Sequence, residues 1–269
     1  DWLLTARSRA DLVDAVRIAQ AADLPWLVLG GGANVLAADA GVRGLVIVNH
    51  AKDFTIDDDG RVLSDSGMSL STLGRRCMSR GLAGLEWAVN VPGTVGGAVV
   101  NNAGAHGGDM AEIVRTVEVL DAADLSVATW DVARMDYAYR HSALKGTRGR
   151  YVVLGAALTL EPGHDPAALN ARADGFVAHR KQTQPPGASL GSIFKNPPGD
   201  YAGRLIEAAG LKGYAIGGVQ ISPVHANFFV HTGHGTASDY RALIEHARAV
   251  VLAQFGVTLE TEIECLGDW

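Results

Sequence analysis

Cysteine is nearly absent from the sequence. Cys77 and Cys265 are the two in 269 residues, far apart and outside any CxxC spacing. A disulfide framework is excluded, and no zinc site can be built from cysteine. No run of apolar residues approaches the length needed to span a bilayer as a helix, so a membrane is not an expected partner. No basic segment leads into an apolar stretch, so no signal peptide is visible and a cytoplasmic location is the expectation. The chain opens at Asp1 rather than at methionine, which suggests a segment upstream. Charge is also thin. Asp, Glu, Lys and Arg make up 19% and the formal net charge is −6. Phosphate backbones call for clustered Lys and Arg, so no nucleic-acid partner is expected. No metal is expected.

What is present in excess is glycine, at 33 residues, beside a hydrophobic share of 48%. The apolar share supplies a sizeable core and rules out a disordered chain. The glycines are clustered. Leu29-Gly30-Gly31-Gly32-Ala33-Asn34 stands at the end of the apolar run Trp26–Leu29. Two readings stay open for it: an anion nest of backbone N–H groups, or a tight turn. It is not the GxGxxG fingerprint, because the spacing is wrong and no amphipathic helix follows; a nicotinamide dehydrogenase without flavin is disfavoured. The second cluster runs Val91-Pro92-Gly93-Thr94-Val95-Gly96-Gly97-Ala98, then Asn101-Asn102-Ala103-Gly104-Ala105-His106-Gly107-Gly108. So many small residues leave a backbone surface on which a flat ligand or pyrophosphate can lie, whereas glycine in bulk weakens helices and strands.

Periodicity predicts a mixed α+β chain. Residues 2–5, 26–29, 45–48, 61–66, 116–121, 126–130 and 151–160 read as strands. Ser8 and Asp11 form a capping box ahead of a helical face at Leu12, Val16 and Ala19. Further helices are predicted over 70–80, from Pro166 to about Lys181, after a cap at Asp200 until Gly210, and from Thr236 to about Gln254. Residues 259–266 read as a closing strand. A composition shift near Pro162–Pro166 divides the chain into 1–163 and 164–269.

The glycine clusters and several later motifs resemble the UDP-N-acetylenolpyruvoylglucosamine reductases. Leu-Gly-Gly-Gly-Ala-Asn with Ala40-Gly-Val-Arg-Gly-Leu-Val-Ile is similar to the family's first flavin-binding motif. Gly84-Leu-Glu-Trp with the second cluster is similar to its second. Tyr139-Arg140-His141-Ser142, Gly191-Ser-Ile-Phe-Lys-Asn-Pro, Gly210-Leu-Lys-Gly, Val219-Gln-Ile-Ser, His225-Ala-Asn-Phe and Leu259-Glu-Thr-Glu continue the likeness in order over nearly the whole chain. The resemblance implies a fold: two α+β subdomains binding FAD, like those of the vanillyl-alcohol-oxidase flavoproteins, and a C-terminal substrate domain. It also implies a reaction. NADPH reduces noncovalent FAD, and hydride from flavin N5 then reduces the enolpyruvyl ether of a UDP-amino sugar to UDP-N-acetylmuramate.

The resemblance assigns residues. Gly30, Gly31, Gly32, Ala33, Asn34, Pro92, Gly93, Thr94, Gly96, Gly97, Asn102, Ala103 and Gly104 are expected to bind the cofactor. Arg140 is expected to hold the substrate carboxylate, since guanidinium donates two bonds and keeps its charge. Ser192 is the expected proton donor to the α-carbon. Glu262, protonated or orienting a donor, is expected to complete the site. Glu260 is its rival, placed on the same face if 259–266 is a regular strand. Lys195, Asn196, Lys212, Gln220, His225 and Asn227 suit a uridine diphosphate and an amino sugar. His106 stands where the family often has tyrosine, and Ala33 where it commonly has serine. The spacing of Arg140 and Ser192 implies the shorter type, without a tyrosine loop closing over the substrate. A monomer is expected. The alternatives are an FAD-dependent alcohol or sugar oxidase, or a non-catalytic flavin- or nucleotide-sugar-binding relative.

Overall fold

The computed structural model describes residues 1–269. The chain folds into two compact units, 1–32 with 43–177 and 33–42 with 178–269. The boundary expected from composition falls before the helix Pro166–Thr183, whereas the compact units divide inside it. Leu169 and Ala173 of that helix pack with Met78 and Ala83 of the first unit, and this contact carries the helix with that unit as far as Val177.

The first unit holds two larger sheets and a two-stranded ribbon, Gly104–Ala105 with Gly108–Asp109. Trp2–Ala6, Leu45–Asn49 and Trp26–Leu29 form a three-stranded parallel sheet with Leu45–Asn49 central. Parallel strands need a crossover, and the helix Arg9–Ala21 supplies it. Its capping box is present, with the Ser8 hydroxyl accepting from Asp11 N–H and the Asp11 carboxylate accepting from Ser8 N–H. Leu12, Ala15, Val16 and Ala19 recur at helical spacing and are buried against Leu45 and Ile47.

The second sheet is antiparallel, in the order Ser126–Asp131, Val114–Asp121, Tyr151–Thr159, Arg61–Asp65, Phe54–Ile56. The helices Leu70–Met78 and Val95–Asn101 contribute Leu70, Leu73, Val95 and Val99 to a core shared with Val117, Val119 and Leu158 of this sheet. The helix Val95–Asn101 corrects the expectation that the glycine-rich stretch resists regular structure. It is short, and its glycines are used for closeness: a Cβ on Gly96 would lie 2.9 Å from Ser66 Cβ.

The second unit is built on an antiparallel sheet in the order Ser189–Ser192, Phe228–His231, Val219–Ile221, Ala215–Ile216. The helices Ala202–Ala208 and Ala237–Phe255 bury Leu205, Ile206, Leu243, Ile244 and Ala247 with Phe194, Ile221 and Phe229. Segment 33–42 joins this unit through the parallel pair Val35–Ala37 and Glu264–Leu266. The Asp39 carboxylate also accepts the N–H groups of Ala237 and Ser238 at the start of the long helix.

Two local expectations are corrected here. Only Glu264–Leu266 of the predicted closing strand is regular. Residues 260–262 instead line the Phe194 segment through an isolated bridge, Phe194 to Thr261. Asp200 does not cap the helix Ala202–Ala208: its carboxylate accepts from Arg204 and from Tyr201 N–H. The first helical amide, Ala202 N–H, goes to Asn196 Oδ1 at 3.1 Å. No helix is long and apolar enough to cross a membrane.

Candidate active site

The two glycine clusters meet within the first unit. A Cβ on Gly31 would come within 3.2 Å of Gly93 Cα, and one on Gly30 within 2.5 Å of Thr94 Oγ1. At Gly31 the backbone lies against that of Gly93, whereas at Gly30 an added Cβ would collide with the Thr94 hydroxyl. Gly32, at φ +66°, and Gly107, at φ +89°, have nothing within 4 Å of an added Cβ, so their exposed faces are open.

The donors of the second cluster are mostly consumed by the fold. Val95 N–H goes to Met68 O at 2.9 Å and Gly96 N–H to Ser66 O at 2.8 Å. Gly97 N–H goes to Thr94 Oγ1 at 3.4 Å, which caps the helix Val95–Asn101. What remains beside Pro92 and Gly93 is a bare backbone surface rather than a row of free amides. Two buried oxygens elsewhere in the first unit have no protein partner, Asn101 Oδ1 and Tyr137 Oη. Burying a polar atom unpaired is costly. Tyr137 carries no signal in the sequence, since an orphaned atom becomes visible only after packing. The abutting clusters and their open faces fit a flat ligand, as the ring system of FAD is.

Asn102, Ala103 and Gly104 leave the helix Val95–Asn101. Asn102 adopts φ 42°, ψ 60° as its C-cap and is 3% exposed. Its Nδ2 donates to Ala138 O at 3.0 Å and its Oδ1 accepts from Ala111 N–H at 3.0 Å. The side chain expected to bind cofactor is thus occupied by the protein. His106, also at positive φ, stacks on Phe176 with ring centroids 4.3 Å apart and 6° between the planes.

Arg140 sits in a turn closed by paired backbone bonds between Ala138 and His141. Its φ is +54°, a conformation that non-glycine residues adopt only when surroundings impose it. The guanidinium donates to Gly104 O at 2.8 Å and to Asn102 O at 3.4 Å, carbonyls just past the glycine-rich helix. Ser142 of the same motif is fully buried and donates to Val100 O at 2.6 Å.

In the second unit the structure brings the Glu262 backbone beside the segment that follows Ser192. Ser192 ends the strand Ser189–Ser192 and pairs with Phe228. Its neighbour Ile193 donates to Asn227 O at 2.8 Å and accepts from Glu262 N–H at 2.8 Å. Asn34 Nδ2 donates to Glu262 O at 3.0 Å, and Asn34 O accepts from Glu264 N–H at 2.9 Å. Glu260 is set apart from Glu262: its side chain is 74% exposed and pairs with Lys195 Nζ at 3.2 Å.

The residues expected to hold substrate divide. Asn227 is 3% exposed, and its amide bonds both Phe194 N–H and Phe194 O, at 2.9 and 2.8 Å. Asn227 therefore fixes the ladder that carries Ser192, and Asn196 caps a helix. Lys195 and Lys212 sit in ion pairs with Glu260 and Glu207, the latter at 2.7 Å. Such partly exposed pairs are weak, so either lysine can be redirected to a phosphate at little cost. Gln220 Nε2 donates to Gly213 O at 3.0 Å. His225 Nδ1 accepts from Asn227 N–H at 3.2 Å. Burial lowers its pKa from 6.5, with Lys212 adding to the effect, so at neutral pH the ring is uncharged and carries its proton on Nε2.

Comparison with known proteins places these features in a family. Residues 182–266 match the family model described as "UDP-N-acetylenolpyruvoylglucosamine reductase, C-terminal domain", and residues 1–127 match "FAD binding domain". A UDP-N-acetylenolpyruvoylglucosamine reductase of Synechococcus sp. (strain WH7803) is 44% identical over 271 residues, covering 99% of this chain and 87% of that protein. The protein of that name from Rubrobacter xylanophilus is 43% identical over 269 residues, covering 100% of this chain and 89% of its own length. The crystal structure of the Thermus caldophilus reductase superposes with a TM-score of 0.82 at 33% identity, covering 98% of this chain and 91% of that one.

Proposed function

The chain belongs to the UDP-N-acetylenolpyruvoylglucosamine reductases, FAD-dependent oxidoreductases of peptidoglycan precursor synthesis, and from that membership we propose how its residues divide the work. The substrate is the enolpyruvyl ether of UDP-N-acetylglucosamine, and the product is UDP-N-acetylmuramate. The observation that supports this assignment best is the convergence of Gly30 and Gly31 on Gly93 and Thr94, which forms one bare surface from both glycine clusters. NADPH is the family's reductant, and bound FAD supplies hydride to the terminal methylene carbon of the enolpyruvyl group.

In this reading Arg140 holds the substrate carboxylate and stabilises the negative charge that spreads from the α-carbon. Its charge persists at any working pH, and its place in a strained, bonded turn limits the reorganisation needed. Ser192 donates its hydroxyl proton to that carbon. A serine is a weak acid, but an enolate carbon is a strong enough base when the hydroxyl is aimed at it. Glu262 helps to stabilise the same charge. Lys195, Lys212, Gln220 and the Nε2–H of His225 serve the diphosphate, sugar and base. Asn196 and Asn227 serve the substrate indirectly, by shaping this surface. A cytoplasmic, monomeric enzyme completes the reading.

The test is steady-state turnover with product identification. NADPH oxidation should depend on UDP-N-acetylglucosamine-enolpyruvate, and mass spectrometry should find a product heavier by two hydrogens. Hydrogen peroxide formed from an alcohol or sugar without NADPH would instead mark an oxidase.

A further inference from the structure

Arg140 can act on a carboxylate only if its turn holds still. That turn is fastened chiefly to the C-terminal end of the helix Val95–Asn101, and Asn102 makes two of the fastenings, one by its side chain and one by its main chain. Its Nδ2 donates to Ala138 O at 3.0 Å, at the foot of the turn. Its Oδ1 accepts from Ala111 N–H at 3.0 Å, which locks the amide so that Nδ2 must face Ala138. Its main-chain carbonyl accepts from the Arg140 guanidinium at 3.4 Å. That carbonyl is aimed by a left-handed backbone, φ 42°, which asparagine tolerates better than other side-chain-bearing residues. The Asp109 carboxylate, 3.5 Å from Nδ2, favours a donor at this position over an acceptor.

We infer that Asn102 is a positioning residue for Arg140: its amide fixes the foot of the turn while its carbonyl orients the guanidinium. The inference rests on Arg140 being the carboxylate-binding residue. It departs from the expectation that the Asn102 side chain contacts the cofactor, because both ends of the amide are already bonded within the protein.

The experiment uses the full chain loaded with FAD and follows each half-reaction by stopped flow. Asn102→Gly keeps the left-handed backbone and deletes the amide. Asn102→Asp keeps the shape and loses the donor to Ala138; made together with Asp109→Asn, so that no second carboxylate faces it, and compared with Asp109→Asn alone, it decides the question if the glycine variant does not fold. Both should slow flavin reoxidation by the enolpyruvyl substrate about 10²-fold, with kcat affected more than KM. Flavin reduction by NADPH and the FAD dissociation constant should each stay within about threefold of wild type.

The decisive arm is the cycle with Arg140→Met. If Asn102 acts through Arg140, Asn102→Gly costs nothing further in the Arg140→Met background. Additive losses, or a raised FAD dissociation constant as the main effect, overturn the inference and return Asn102 to a purely structural or cofactor-binding role. If Arg140→Met alone reoxidises at the wild-type rate, the carboxylate reading of Arg140 fails, and the positioning role fails with it. If Arg140→Met is slow while both Asn102 variants are wild type, only the positioning role fails.

Discussion

Asn34 Nδ2 donates a 3.0 Å hydrogen bond to the main-chain carbonyl of Glu262, across 228 positions of sequence. The residue that closes the first glycine cluster thus supports the backbone of the proposed catalytic glutamate. Glu264 N–H returns a bond to Asn34 O, and the parallel pair Val35–Ala37 with Glu264–Leu266 continues the connection.

Removing that amide should therefore be felt at Glu262. One net hydrogen bond is worth about 1 kcal/mol, so Asn34→Ala should slow reoxidation by substrate about fivefold. Flavin reduction by NADPH should change little. Stopped-flow absorbance separates the two steps. A variant that binds FAD poorly but reoxidises normally would show that Asn34 serves the cofactor instead.

The Ser192 hydroxyl is required only where the α-carbon takes its proton. Ser192→Ala should be reduced by NADPH as wild type is, yet lose about 10²–10⁴-fold in the rate of the substrate half-reaction. Thermal melting checks that the ladder around Ile193 and Asn227 is intact. Wild-type turnover by this variant would remove Ser192 from the mechanism.

Much of this architecture is legible in the residues. The capping boxes at Ser8 and Thr236 start their helices where the pattern says. The strands expected at 116–121, 126–130 and 151–160 become Val114–Asp121, Ser126–Asp131 and Tyr151–Thr159 of the antiparallel sheet. What stays hidden is long-range. Nothing local tells that Asn227 spends its amide on Phe194, or that Asn34 belongs with Glu262, because such bonds depend on which segments meet. The helix Val95–Asn101 escapes propensity because packing against Ser66 needs glycine there more than a helix needs a helix former. The regular strand expected at 259–266 shrinks to 264–266, since residues 260–262 satisfy their backbone on the Phe194 segment instead.

Gly30 tests the meeting of the glycine clusters. An alanine Cβ would lie 2.5 Å from Thr94 Oγ1, the hydroxyl that caps the helix Val95–Asn101. Gly30→Ala should cost about 1–3 kcal/mol through overpacking and loss of the cap. It should also release FAD more readily, read by the rise in free-flavin fluorescence on dilution. Gly107→Ala meets nothing within 4 Å and carries only the strain of φ +89°. Equal stability for wild type and Gly30→Ala would mean that the clusters do not abut.

His225 gives a pH dependence with a definite sign. Its folded-state pKa lies below 6.5, chiefly through burial, with Lys212 reinforcing and Glu207 opposing. The unfolded chain then binds more protons as pH falls through 6.5, so this group withdraws stability from there down to its folded pKa and has no effect above. Urea midpoints at about pH 7.5 and about pH 5.5 should differ less in His225→Asn than in wild type. An identical difference in both would show that the imidazole titrates alike folded and unfolded.

The central claim is that this chain passes electrons from NADPH through FAD to an enolpyruvyl sugar nucleotide. The most direct measurement is the visible spectrum of the purified protein under anaerobic conditions, followed through two additions. Flavin bands that bleach with NADPH and return with UDP-N-acetylglucosamine-enolpyruvate are the predicted result. A flavin that bleaches but is reoxidised by oxygen alone, or a protein that cannot be reconstituted with FAD, would contradict it.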